Sequence, residues 1–313
     1  MKLSLVVPCY NEEDNVEKFY RETEKVFKGK IDAYEYVFID DGSHDKTLEK
    51  LKKLYNENKD NSNIQVLSFS RNFGKEAAIF AGLQNAQGDL ICLIDADLQQ
   101  RPEVVLQMLE IIENNNELDC VTAYQKKRKE NILMSSVKSA FYKLINKIAE
   151  VDFVNGASDF RLMRRCMADA LISMSEYHRF SKGMFSWVGF KNEYISYDVA
   201  ERENGTSKWG TRKLIKYALE GICAFSTAPL RISAYIGFIS SLISVIYLVV
   251  VVVQKLFFGI NVPGYATTVV LILFVGGVQM FCMGIIGEYL SKIYVQVKNR
   301  PIYILKEHIG KEK

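Results

Sequence analysis

Asp95-Ala96-Asp97 closes the apolar run Leu90-Ile91-Cys92-Leu93-Ile94. A continuous apolar run of that length predicts a strand buried on both faces, as in parallel sheets. Two carboxylates at its carboxyl end lie where open α/β sheets bind ligands. Like charges held together there need a cation or hydrogen bonds. A hard divalent ion, Mg²⁺ or Mn²⁺, shared with phosphate oxygens meets that need, so the motif points to a metal-bridged diphosphate. A strand-to-loop turn that is acidic by chance reads the same, so the rest of the chain has to decide.

Three more polar clusters follow apolar runs. Pro8-Cys9-Tyr10-Asn11-Glu12 follows residues 3–7, Asp40-Asp41-Gly42-Ser43 follows 36–39, and Ser70-Arg71-Asn72-Phe73-Gly74-Lys75 follows 64–69. Strand ends on one edge of a parallel sheet converge, so the four clusters together make a site. Pro8 and Tyr10 offer a wall for a nucleotide base, and Asp40 a carboxylate for base or ribose donors. Asp95 and Asp97 would take the metal, with a lysine or arginine on the diphosphate oxygens. Gly42 and Gly74 allow close backbone approach. For Glu12 and Asp41, turn or cap chemistry is an equal explanation. Neither G-x-G-x-x-G nor G-x-x-x-x-G-K-[ST] occurs, which argues against a dinucleotide oxidoreductase and a P-loop NTPase.

The positioning elements follow from periodicity. Strands at 3–7, 36–39, 64–69, 90–94 and 119–123 alternate with helices at 13–28, 45–58, 75–85 and 103–113, with Asp45 or Ser43 as N-cap of the second helix. That alternation predicts an α/β fold, a mostly parallel sheet with helices on both faces. No internal repeat or low-complexity segment is present.

The carboxyl-terminal third is different. The chain has 313 residues and a net charge of +3, too small for a nucleic-acid binder driven by bulk charge. Between 232 and 287 the only charged residue is Lys255. Segments 232–254 and 265–287 each reach the roughly 20 apolar residues that span a bilayer, with a turn at 259–264. The expectation is a two-helix transmembrane hairpin, the alternative a helical hairpin buried in a soluble core. Lys208, Arg212, Lys213, Lys216 and Arg231 precede it, and Lys292, Lys298, Arg300 and Lys306 follow. This asymmetry places both termini in the cytoplasm. Residues 3–7 are too short for a signal peptide and run into Pro8. Six scattered cysteines form no C-x-x-C pair, which disfavours structural zinc and disulfides and suits a reducing compartment. Residues 132–149 carry an apolar stripe with Lys138, Lys143 and Lys147 off it, and 213–225 repeat the pattern. Both read as interfacial helices on anionic lipid rather than helices packed on their own domain.

Taken together, Val6-Val7-Pro8-Cys9-Tyr10-Asn11-Glu12, Asp40-Asp41-Gly42-Ser43, Asn72-Phe73-Gly74-Lys75 and Asp95 to Glu103 resemble the GT-A glycosyltransferases of family 2. More narrowly, the chain resembles polyprenyl-phosphate glycosyltransferases of the bactoprenol glucosyltransferase and dolichol-phosphate mannose synthase type, over essentially its whole length. The resemblance implies a GT-A core at 1–131, an acceptor-side segment at 132–228, two transmembrane helices within 229–290 and a basic cytoplasmic tail at 291–313. It implies that Pro8, Tyr10, Asn11, Glu12, Asp40 and Lys75 line the nucleotide-sugar site, and that Asp95 and Asp97 hold Mg²⁺ or Mn²⁺ with Gln99 nearby. Arg128 and Lys138 match positions that meet the acceptor phosphate; Lys127 and Lys129 read as a solvated basic loop. Asp159 stands at the acidic position of the segment facing the donor sugar. Arg202, Ser207 and Lys208 match a mobile loop that closes on the diphosphate.

The implied reaction is inverting transfer of a hexose from a nucleoside diphosphate sugar to undecaprenyl phosphate, with UDP-glucose or UDP-GlcNAc favoured. A lipid monophosphate, with a second pKa of about 6, is largely dianionic at neutral pH and needs no strong base. Asp159 is therefore expected to orient a sugar hydroxyl or a nearby cation. The implied setting is a bacterial cytoplasmic membrane, and the implied assembly a homotetramer. The rival readings are a GDP-mannose-dependent synthase, a processive polysaccharide synthase, whose Q-x-x-R-W is absent, and a non-catalytic nucleotide- or lipid-binding scaffold.

Overall fold

In the computed structural model, residues 1–59, 63–125, 157–198, 223, 225–258 and 264–310 are described. The amino-terminal half builds strand by strand as its apolar runs dictate. β1 (Leu3–Cys9), β2 (Tyr34–Asp40), β3 (Ile64–Phe69), β4 (Leu90–Leu93) and β5 (Cys120–Gln125) alternate with α1 (Val16–Phe27), α2 (Thr47–Glu57), α3 (Lys75–Asn85) and α4 (Pro102–Asn114). Then follow β6 (Ala157–Arg164), α5 (Arg165–Ser173), α6 (Ser181–Trp187), β7 (Asn192–Tyr197), two long helices α7 (Ala228–Phe258) and α8 (Tyr265–Val297), and β8 (Leu305–Ile309).

One sheet holds all eight strands, in the order β7-β5-β6-β4-β1-β2-β3-β8. β6 and β8 run against the other six. Strand alternation sends Leu3, Leu5, Val7 and Phe38 to one face and Val6, Val37 and Ile39 to the other. The first face packs on α1, α2 and α4 through Phe19, Leu51 and Met108. The second packs on α3, α5 and α6 through Ala78, Leu171 and Met184. Both faces are dry, which is why these strands read as unbroken apolar runs rather than alternating ones.

α3 packs directly on β1 and β2 at Gly82. A Cβ added at Gly82 would come within 2.2 Å of Val6 Cγ1, so only glycine permits this approach. α3 begins at Lys75, directly after the loop that follows β3.

The membrane-length stretches of α7 and α8 are strongly apolar, and none of their most apolar windows is buried within this chain. A helix of that kind buried in a soluble core would be covered, so the hairpin has the character of a membrane span. Within the stretch read as a basic tail, α8 runs on to Val297 and residues 305–309 add β8 to the free edge of β3. Gln296 binds the 175–177 segment: its Oε1 accepts from Tyr177 N–H at 2.8 Å and its Nε2 donates to Ser175 O at 2.9 Å. The tail is thus fastened to the sheet domain both through Gln296 and through β8. The interfacial helix expected at 132–149, and nearly all of that expected at 213–225, lie outside the described residues.

Candidate active site

The register of the central strands brings the polar clusters to one edge. β1 and β2 pair so that Cys9 stands opposite Asp40, and Asp40 of β2 stands opposite Ser68 of β3. On the other side of β1, Val6 pairs with Leu93 and β4 ends just before Asp95. β6 pairs antiparallel with β4, Leu93 opposite Arg161. Continuing that register sets Asp159 across from Asp95.

A cation joins these two carboxylates. Lys75, the first residue of α3, places its Nζ 2.7 Å from Asp95 Oδ1, 3.0 Å from Asp95 Oδ2 and 3.1 Å from Asp159 Oδ2. Burial alone would lower the Lys75 pKa, but Asp95 and then Asp159 outweigh it and hold the ammonium well above its ordinary value. Burial likewise pushes Asp159 up, and Lys75, Lys182 and Arg161 together pull it below the usual carboxylate range. Arg161, two residues along β6 and so on the same face, is buried; it lies 3.4 Å from the Phe185 ring centroid and donates to Ser158 O at 3.0 Å.

Asp95 and Asp97 flank the buried Ala96 and are themselves partly exposed. Gln100 brackets Asp95, its Nε2 donating to Oδ2 at 3.0 Å while its Oε1 accepts the Asp95 N–H at 2.9 Å. Asp97 Oδ1 accepts the Gln99 N–H at 3.1 Å. Among the described residues, no group of three or more His, Cys, Asp and Glu side chains forms a ready metal cage. Two hard carboxylates at an open strand end do suit Mg²⁺ or Mn²⁺, which usually take one or two carboxylates and complete their shell with water and phosphate.

The other clusters are built as loop scaffolding as well as surface. Asp40 is 1 % exposed, accepting the Ser43 N–H at 3.1 Å and the Ser68 hydroxyl at 2.8 Å. Asp41 accepts the N–H groups of Phe73, at 2.6 Å, and Gly74, at 2.9 Å, and so ties the loop that leads into α3. Burial pushes the Asp41 carboxyl up, and those two N–H groups pull it part of the way back. Gly42 has φ +62°, and a Cβ there would lie 2.4 Å from the Arg71 carbonyl carbon. Glu12 Oε2 accepts from Asn15 Nδ2 at 2.5 Å, and the Glu12 N–H donates to the Thr47 hydroxyl at 2.8 Å. Asn11, at φ 55°, receives the His44 N–H on its side chain at 3.0 Å. Pro8 is partly exposed, and Tyr10 is exposed with its ring edge-on to His44. Asp45, one residue before the Lys46 N-cap of α2, accepts the Thr47 N–H at 3.0 Å, whereas Ser43 accepts that of Asn11.

The structure therefore brings together Lys75, Asp95 and Asp159, with Asp97 and Gln99 beside them. Pro8, Tyr10, Asn11, Glu12 and Asp40 stand at the ends of the neighbouring strands. Arg128, Lys138, Arg202, Ser207 and Lys208 lie outside the described residues. Sequence reasoning passed over Glu76 and Lys182. Glu76 is visible only as the neighbour of Lys75, and Lys182 has no sequence signal at all.

Residues 4–171 match the family model described as glycosyl transferase family 2, and 228–293 that of the GtrB C-terminal hairpin. The chain is 42% identical over 308 residues to the SfII prophage-derived bactoprenol glucosyl transferase of Shigella flexneri, covering 98% of each chain. It is 41% identical over 307 residues to the prophage bactoprenol glucosyl transferase homolog of Escherichia coli (strain K12), covering 98% of this chain and 99% of that one. Among solved structures, glucosyl-3-phosphoglycerate synthase from Mycobacterium tuberculosis, in complex with Mn²⁺, UDP and glucosyl-3-phosphoglycerate, superposes with a TM-score of 0.49 at 17% identity, over 71% of this chain and 77% of that chain.

Proposed function

The chain belongs to glycosyl transferase family 2, and on that premise we propose that it transfers a hexose from a nucleoside diphosphate sugar to undecaprenyl phosphate, inverting the anomeric carbon. UDP-glucose or UDP-GlcNAc is the proposed donor. One observation carries the reading: the likeness to bactoprenol glucosyl transferases runs through the sheet domain and the apolar hairpin alike. The geometry supports it, because a charged cluster at the strand ends faces the chemistry of a diphosphate while the hairpin supplies the means to reach a lipid.

In this reading residues 1–131 form the donor-binding core, 132–228 the acceptor side, 229–290 the spans and 291–313 the returning tail. The charge asymmetry around the hairpin supports cytoplasmic termini. Asp95 and Asp97 would hold a divalent ion, which when bound neutralises the diphosphate leaving group. Pro8, Tyr10, Asn11, Glu12 and Asp40 would border the nucleotide, with Gln99 near the sugar or metal. Arg128 and Lys138 would orient the acceptor phosphate, and Arg202, Ser207 and Lys208 would close over the diphosphate.

The acceptor is already a dianion at neutral pH, so this chain's task is positioning and charge neutralisation rather than deprotonation. Asp159 is low in pKa and held by Lys75, which suits a fixed anion that orients a cation or a sugar hydroxyl and does not suit a general base.

The test is transfer from a panel of radiolabelled nucleotide sugars, GDP-mannose included, to undecaprenyl phosphate in detergent, with Mn²⁺ and with EDTA. Lipid labelled from a UDP-hexose and abolished by EDTA is the expected result. Labelling from GDP-mannose alone moves the protein to the mannose synthases. No labelling by a folded protein that still binds nucleotide overturns the transferase reading in favour of a scaffold. A homotetramer through the membrane region belongs to the same proposal and is read from the mass of the solubilised particle.

A further inference from the structure

Lys75 holds oxygens that a metal would need. Its ammonium contacts both oxygens of Asp95 and one of Asp159 at 2.7 to 3.1 Å. A divalent ion on Asp95 competes with Lys75 for the lone pairs of its two oxygens, and it would also repel the ammonium. Lysine suits a contact that must be given up: its three donors have no fixed plane, and its stem has four rotatable carbons. The ammonium end is held against the two carboxylates, while the side chain as a whole is 45% exposed, so its stem has room to turn. Leaving Asp95 does not strand either carboxylate. Gln100 Nε2 still donates to Asp95, and Asp159 keeps Lys182 and Arg161 in its field.

Charge gives the order of events. A divalent ion on Asp95 takes over the neutralisation that Lys75 supplies there. A diphosphate then brings negative charge back, beside an ammonium that the metal has displaced.

We propose that Lys75 is an exchangeable counter-ion: it occupies Asp95 until the metal arrives, yields that carboxylate to the metal while staying within reach of Asp159, and turns to the diphosphate oxygens. This rests on the assignment of the metal to Asp95 and Asp97 above. It makes Lys75 a competitor of the metal and a partner of the nucleotide, two effects of opposite sign.

The test is Mn²⁺ binding to the full-length protein in detergent, read by the electron paramagnetic resonance of free Mn²⁺, followed by UDP binding at saturating Mn²⁺. Without nucleotide, Lys75→Met should bind Mn²⁺ about tenfold more tightly than wild type, the scale of one charge-assisted hydrogen bond that no longer competes. The same variant should bind UDP more weakly. Lys75→Arg, which keeps a cation, should stay near wild type for Mn²⁺. Lys182→Met removes a charge that faces Asp159 without touching Asp95, and should leave Mn²⁺ affinity near wild type. Asp97→Asn should lose Mn²⁺ binding.

If Lys75→Met binds Mn²⁺ no more tightly than wild type, or UDP no more weakly, the exchange is overturned. It is also overturned if Lys182→Met tightens Mn²⁺ binding as much as Lys75→Met does, since the effect is then a diffuse field. If Asp97→Asn keeps wild-type Mn²⁺ binding, the metal assignment fails and the exchange fails with it. Loss in Asp97→Asn with no gain in Lys75→Met overturns the exchange alone.

Discussion

The Glu76 carboxylate accepts two hydrogen bonds from Ser181, one from the backbone N–H at 2.9 Å and one from the hydroxyl. Glu76 lies in the first turn of α3 and Ser181 is the first residue of α6. The pair therefore clamps two helix starts whose lysines, Lys75 and Lys182, both bear on Asp159. The clamp sets where both stems begin.

That clamp titrates. Burial pushes the Glu76 carboxyl from its ordinary 4.5 up to about 7, with Asp159 adding to the rise and the Ser181 donors opposing it. The folded protein then binds more protons at Glu76 than the unfolded chain between about pH 4.5 and 7. Stability from this group is present below that window and is lost as pH rises through it. Glu76→Gln does not titrate and keeps an acceptor oxygen for Ser181. The melting temperature of wild type minus that of Glu76→Gln should fall from pH 4.5 to pH 7 and level off above, by the equivalent of about 1–2 kcal/mol for a partly exposed group. A difference that stays flat over this range would contradict a raised Glu76.

Much of the sheet was legible because its central strands are buried on both faces and α1, α2 and α4 are amphipathic. β1 to β5 and α1 to α4 appear where apolar runs and helical periodicity put them, with ends moved by a few residues. β6 was invisible for a physical reason. Its sequence, Ala-Ser-Asp-Phe-Arg-Leu-Met-Arg, buries an arginine that the Phe185 ring and backbone carbonyls compensate, and no composition rule anticipates that. β7 and β8 are edge strands whose polar and charged residues hide them. The convergence of acidic clusters could be read from strand ends. The contact of Lys75 with both Asp95 and Asp159 could not, because it depends on β6 entering the sheet antiparallel beside β4.

Gly42→Ala should destabilise the domain by about 2–4 kcal/mol, read as a fall in melting temperature. Two costs add there. The residue needs φ +62°, and its new Cβ would meet the Arg71 backbone at 2.4 Å. Backbone cannot rotate away as a flexible side chain can. The shift would also move Asp41 off the Phe73 and Gly74 N–H groups that start α3. A nearly unchanged melting temperature would mean that the loop can be rebuilt without these bonds.

Asp97→Asn should lower kcat by about 100-fold or more, while its melting temperature stays near wild type, because a ligand that helps neutralise a leaving group acts mainly in the transition state. Asp97 is partly exposed at a loop and carries no core packing. An equal loss of stability would instead give it a structural role, as the acceptor of the Gln99 N–H.

The returning tail is anchored just ahead of β8. Tyr303 stacks on Phe69 with centroids 5.0 Å apart, and its hydroxyl donates to Gln84 Oε1 at 2.8 Å. Just beyond it, β8 covers the edge of β3, and Glu307 pairs with Lys52 of α2. Removing the ring should release β8, since a five-residue antiparallel edge strand is marginal without an anchor. Tyr303→Ala should cost about 2–3 kcal/mol for the lost aromatic packing and hydrogen bond. Hydrogen exchange should then accelerate at 305–309 and at the β3 amides facing them, while β1 and β4 in the centre stay protected. With β3 uncovered, its row of unpaired backbone groups becomes a template for another chain, so the variant should also aggregate faster on warming. Tyr303→Phe keeps the stacked ring and should retain most of the protection. Slow exchange at 305–309 in Tyr303→Ala would show that the ladder and the Lys52 pair hold the tail without the ring.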